Sequence, residues 1–172
     1  MASRLTRFRQ HKDEFFKRDD DSPLDADQKK RFRKLAYFAE NPALDLVAPL
    51  DRATAGTPLM TLTTRNEERH YVRLGTIDVP LTEGVVRLTV LRDRDRGHIF
   101  IPFRDGSCGV ESYQMGRYLE PQERPDGQLH VDFNYAYNPY CAYGDGWNCP
   151  IPPEENVTPL RIEAGEQAFV LP

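Results

Sequence analysis

The stretch richest in reactive side chains is HVDFNYAYNPYCAYGDGWNCPIPPEEN, residues 130–156. It gathers Asp132, Asn134, Asn138, Cys141 and Cys149 with Tyr135, Tyr137, Tyr140, Tyr143 and Trp147, so that half of the chain's 8 tyrosines fall in one segment. Tyrosine and tryptophan join a flat apolar body to a hydrogen-bonding tip, which suits the wall of a pocket where a few polar groups orient a ligand. Just upstream, DGSCGVESYQMGRYLE (105–120) contributes Asp105, Tyr113, Arg117 and Tyr118. An arginine among apolar and aromatic neighbours can clamp a carboxylate through two parallel hydrogen bonds. It can equally pair inside the protein, with Glu111 or Asp132 as partner.

Several chemistries can be weighed on this material. Cys141 and Cys149 have seven residues between them, whereas zinc-binding pairs are separated by about two to four, so no metal and no cofactor is expected. A nucleophilic Cys141 or Cys108 with a histidine partner, or Asp132 as an acid–base group, would make the protein an enzyme. Asp105, Glu111 and Asp132 are the carboxylates open to paired-carboxylate catalysis. DGSCG follows a strand pattern but opens no helix, so it reads as a turn and not as a phosphate loop.

These residues must be positioned by the elements around them. Leu5, Phe8, Lys12, Phe15 and Phe16 follow helical spacing, with Ser3 as cap. SPLD predicts a second helix with Ser22 as cap, Pro23 at its first position and Asp25 in a capping box. Phe32, Leu35, Ala36 and Ala39 would form its buried stripe up to Pro42. From there the pattern alternates, and strands are expected at 59–64, 70–81, 85–91, 98–103, 128–134, 160–165 and 167–171, with a short one in MGRYLE. In the second of these, Val72 and Leu74 share one frame while Ile77, Val79 and Leu81 share the other, which places a bulge at Gly75. LTEG and RDRDRG read as hairpin loops. In QLHVDFN, Leu129, Val131 and Phe133 face the core, leaving His130, Asp132 and Asn134 on the other face.

The chain has 172 residues, 39% hydrophobic and 29% charged, with a net charge of -4, which fits one globular domain spanning 1–172. A helical segment (1–41) precedes a β body (42–172) that carries the 105–156 region. No apolar run reaches the roughly 20 residues of a membrane helix, and the first residues show no apolar leader, so a cytoplasmic protein without a membrane partner is expected. Its 3 cysteines then argue against a disulfide framework. All five lysines lie at or before Lys34, yet Arg4, Arg7, Arg9 and Lys12 read as a solvated helix face, and nucleic acid is not an expected partner.

The segments IFIPFRDGSCGVESYQMGRYLE and VDFNYAYNPYCAYGDGWNCPIPPEEN, together with FRQHKDEFF (8–16), SPL (22–24) and a late AGE, resemble the bacterial and archaeal family catalogued as domain of unknown function 1684. The resemblance covers nearly the whole chain and implies a map of positions without a reaction. It picks out Asp105, Tyr113, Gly116, Arg117, Tyr118, Asp132, Asn134, Tyr137, Asn138, Cys141, Tyr143, Cys149, Pro150 and Asn156. Cys108 and His130 lie outside the pattern. The resulting expectation is an α+β fold, a curled antiparallel β-sandwich or partly open β-barrel with two N-terminal helices packed against it. It would bind a small polar or anionic ligand through Asp105, Tyr113, Arg117, Tyr118, Asp132, Asn134, Tyr137, Asn138, Cys141, Tyr143 and Cys149. An enzyme using Asp132 or Cys141, and a purely structural knot, are the alternatives.

Overall fold

The computed structural model describes residues 3–171. Helix α1 runs Arg4–Arg18, its start closed by Ser3, whose hydroxyl accepts from the Thr6 amide. Helix α2 covers only Ala26–Arg31, and its cap is Asp25, in a reciprocal box with Gln28. The expected longer helix from SPLD is therefore corrected at both ends. Ser22 donates to the Phe16 carbonyl and accepts from Leu24, ending α1 instead of starting α2. Beyond Phe32 the chain is extended, because Phe38 donates to Gly165 and Gln167 donates to Ala36. Six residues of helix hold little free energy of their own, so tertiary pairing decides the conformation. Phe32 and Leu35 are still buried, against Phe16, Leu24 and Tyr143.

Eight strands follow: β1 Asp45–Ala48, β2 Pro58–Leu62, β3 Glu68–Leu81, β4 Gly84–Asp93, β5 Ile99–Phe103, β6 Arg117–Leu119, β7 Gln122–Glu123 and β8 Leu129–Asp132. They form a three-stranded sheet in the order β1-β8-β7 and a five-stranded sheet in the order β2-β3-β4-β5-β6. All pairings are antiparallel. The sheets share one core: Ala48, Leu129 and Val131 from the first meet Ile77, Val79, Leu88, Val90, Ile101 and Phe103 from the second. The expected α+β sandwich with two N-terminal helices is present and does not close into a barrel. Among the described residues no helix is long and apolar enough to cross a membrane.

The predicted bulge lies where the register of β3 against β4 shifts between Arg73 and Gly75. Gly75 has φ 150, and a Cβ there would stand 2.4 Å from the Asp51 carbonyl oxygen. The bulge reverses the facing of the strand. Ile77 and Val79 enter the shared core, while Tyr71 joins Leu59, Leu91, Phe100 and Tyr118 on the opposite face of the same sheet. That outer face needs a cover, and the tyrosine-rich segment supplies it. Tyr137 exchanges backbone hydrogen bonds with Tyr118 on edge strand β6, while Ile151 donates to Leu62 at the other edge, β2. Residues 137–151 thus strap the sheet from edge to edge.

The strands expected at 160–165 and 167–171 are absent, a second correction. Side chains replace the missing ladder. Arg117 donates to the carbonyls of Ile162, Ala164 and Glu166, and the Ile162 amide donates to Asp105. Gly165, at φ 77, turns the chain where a Cβ would meet the Ala136 carbonyl oxygen at 2.5 Å. Likewise β8 ends at Asp132 and not at Asn134, as Phe133–Tyr135 forms a 3-10 turn capped by Asp132.

Candidate functional site

Two-residue alternation along β6 sends Arg117 inward beside Phe103 and Tyr118 outward beside Pro102. Arg117 is fully buried, 3.1 Å from Asp105, with the rings of Phe38 and Phe103 about its guanidinium. Of the two fates open to it, the internal one is realised, but with Asp105 as partner. Glu111 pairs with Arg161 and Asp132 caps its own turn. Ser107 completes the cluster by donating to Asp105.

A second buried network stands beside it. Glu166, 1% exposed, pairs with Lys12 of α1, accepts from the Asn138 amide at 2.9 Å and from the Tyr143 hydroxyl at 2.6 Å. Burial, then the adjacent Glu166 carboxylate, pushes the Tyr143 phenol well above its ordinary range. Asn138 also donates to the Gln167 carbonyl. Asn134 bonds both backbone groups of Asn41 and the Asp132 carboxylate. The structure therefore spends Asp105, Arg117, Asn134, Asn138 and Tyr143 on internal partners, and the tips of Arg117 and Asn134 do not reach a shared cavity.

Open space occurs elsewhere. A cleft of about 570 Å³ lies between the strap and the outer face of the five-stranded sheet. Tyr71, Phe100, Tyr118, Tyr137, Tyr140, Trp147, Cys149 and Pro150 line it, with Arg69, Asp93, Arg96 and His98 among the charged and polar residues. Its rings interlock edge to face: Tyr71 on Phe100 at 5.2 Å, Phe100 on Tyr118 at 5.8 Å, Tyr118 on Tyr137 at 5.9 Å and Tyr140 on Trp147 at 4.8 Å. Tyr118 donates to the Pro150 carbonyl and Tyr137 to Glu120 at 2.8 Å. Burial, aided by Asp93, pushes the Tyr71 phenol up to about 12. Among the described residues, the hydroxyls of Tyr71 and Tyr140, the indole N–H of Trp147 and the guanidinium of Arg96 have no hydrogen-bond or ion-pair partner.

Of the residues expected to share a site, Tyr118, Tyr137 and Cys149 line this cleft. Cys141 stands behind it against Cys149, and the half-buried phenol of Tyr113 is raised by burial and then by those two cysteines. Asp132 and Tyr137 line a second cavity of about 410 Å³ with Glu40, Asp45 and His130. Several polar tips there are engaged, His130 with Asp45 at 2.7 Å, Glu120 with Tyr137 and Asp132 with Asn134, while Arg4, Glu40 and Gln122 also line it. No group of three or more His, Cys, Asp or Glu side chains among the described residues could hold a metal ion.

Sequence reasoning missed Arg69, Tyr71, Arg96, His98 and Phe100. A signal existed: β4 and β5 carry apolar residues in both frames, as sheets covered on both faces do, and the frame change at Gly75 puts Tyr71 on the outer one.

The fold and its covered outer face define a small antiparallel β-sandwich protein with a side-chain-anchored strap. Its sequence matches the family described as "Protein of unknown function (DUF1684)" over residues 30–167, and the chain belongs to that family. The solution NMR structure of an uncharacterized protein of Haloarcula marismortui is similar, with 32% identity and a TM-score of 0.69 over 95% of this chain and 91% of that one. No curated protein matches the chain.

Proposed function

We propose that the protein binds a small ligand with a flat ring and an anionic substituent in the cleft beneath the 137–151 strap. The observation that carries this reading is the set of unspent donors around an aromatic floor: Tyr71 and Tyr140 hydroxyls, the Trp147 indole N–H and the Arg96 guanidinium. The cleft's volume of about 570 Å³ lies within the range of small-molecule sites, about 300–1,000 Å³. Ring faces offer stacking that is blind to the details of a heterocycle. The acid beside Arg96 is partly engaged, since Asp93 accepts from the amides of Asp95 and Arg96 in its own turn. Arg96 is thereby left to meet a carboxylate or phosphate.

Trp147 is the one tryptophan of the chain, so its fluorescence reports on the cleft wall. Titration with 4-hydroxybenzoate and related aromatic carboxylates should give a saturable change. Arg96→Ala should weaken binding about tenfold, equivalent to about 1.4 kcal/mol, and Tyr140→Ala should weaken it as well. Absence of saturation across the aromatic carboxylates, or equal affinity in both variants, would remove this reading.

A further inference from the structure

Cys141 and Cys149 meet at the base of the strap with their sulfurs 2.6 Å apart. The Cys141 amide also points at the Cys149 sulfur, at 3.4 Å. A disulfide is about 2.05 Å long, so bond formation asks for roughly half an ångström of sulfur movement. The surrounding backbone is already held in place by Thr64, whose amide donates to the Cys149 carbonyl at 2.9 Å. Its hydroxyl accepts from the Cys149 amide at 3.1 Å and lies 3.3 Å from the Cys141 sulfur. Cys149 is buried whereas Cys141 is partly exposed, which distinguishes an entering sulfur from a resolving one. Cys108 stands apart, bonded to Asp105 and Ser112.

We propose that Cys141 and Cys149 form a reversible dithiol–disulfide site that reacts with low-molecular-weight disulfides of the glutathione type. Cys141 releases its proton to solvent and its thiolate attacks one sulfur of RS–SR; a Cys141–SR bond forms, the RS–SR bond breaks and the first RS⁻ leaves. Cys149 then releases its proton to solvent and its thiolate attacks the Cys141 sulfur, forming the intramolecular bond and expelling the second RS⁻. Two protein thiols are oxidised and one external disulfide is reduced to two thiols. Burial first, and then the hydrogen bond with Cys141, pushes the Cys149 thiol up to about 12. The hydrogen bond from the Cys141 thiol is absent once Cys141 is in the mixed disulfide, while the Cys141 amide, which acts to lower the Cys149 value, still points at the Cys149 sulfur. The ring that closes contains Trp147, so oxidation fixes one wall of the cleft. The chemistry itself is independent of what the cleft binds.

The test is a thiol count on the full chain, with intact mass and peptide mapping, before and after incubation with oxidised glutathione. The reduced protein should titrate three thiols under denaturing conditions. The oxidised one should titrate one, be lighter by two hydrogens with no glutathione attached, and yield a peptide linking Cys141 to Cys149. Dithiothreitol should restore all three. Cys108→Ser should form the same link, and Cys149→Ser should stop at a glutathione adduct on Cys141. Trp147 fluorescence should change on oxidation and return on reduction. Three thiols persisting after oxidised glutathione, a link between two chains, or an adduct confined to Cys108 would each overturn the proposal.

Discussion

The guanidinium of Arg117 is wholly buried, paired with Asp105 and donating hydrogen bonds to three backbone carbonyls. Breaking such a pair leaves a charge without water or partner, at a cost of about 3–5 kcal/mol. Arg117→Ala should therefore lower unfolding stability in urea by about that amount, and release residues 162–166 as well. Asp132→Ala removes one cap and should cost only about 1–2 kcal/mol, and the partnerless Arg96→Ala should stay within about 0.5 kcal/mol. Equal losses in all three would show that the Arg117 cluster does not anchor the fold. By sequence, Arg117 and Asp105 are expected to be members of one site. Their shared location was legible from the density of unusual residues, but their pairing was not. Asn134 meets Asn41 across 93 positions, and no local spacing encodes such a partner.

Elements were legible where the signal is local. The Ser3 cap, the Gly75 bulge and the core frame of β8 depend on neighbours within a few residues, and they stand where the pattern put them. The extension of the second helix beyond Arg31 and the C-terminal strands failed because their conformation is decided by distant groups, Gly165 and Gln167 for residues 36–38 and Arg117 for residues 162–166. Asn156 shows the same principle inside the sheet. The β4–β5 pairing runs through Leu91↔Phe100 and Arg92↔Ile99, and at Thr89 it would next meet Pro102, which has no N–H to offer. The Asn156 side chain fills that position, accepting from the Thr89 amide at 2.7 Å and donating to the carbonyls of Thr89 and Pro102. Three buried groups depend on one amide, each worth about 1–3 kcal/mol when left unpaired. Asn156→Ala should cost about 3 kcal/mol or more and expose the Thr89 amide to fast hydrogen exchange. Unchanged Thr89 protection would mean that water substitutes for the side chain.

At the scale of the whole molecule, the two sheets share one face-to-face core, and the outer face of the larger sheet is covered by a segment without regular structure. Such a cover is stabilised by side chains instead of ladders, and many of those side chains are phenols. Burial, foremost among the causes, raises Tyr37, Tyr118, Tyr137 and Tyr143 above their ordinary range and Tyr71 to about 12. These groups bind protons more tightly folded than unfolded. Their contribution is complete below the unfolded value of about 10 and is lost as pH rises from there through the folded values. The protein should accordingly lose thermal stability steeply above about pH 10, with phenolate absorbance appearing together with loss of structure. Cys149, raised to about 12, acts in the same direction from about pH 9. Replacing it by serine should move the onset upward without removing the tyrosine-dependent fall. If instead the buried phenols ionise at ordinary pH while the fold persists, the strap opens independently of the sandwich, and the cleft beneath it is a mobile surface instead of a preformed one.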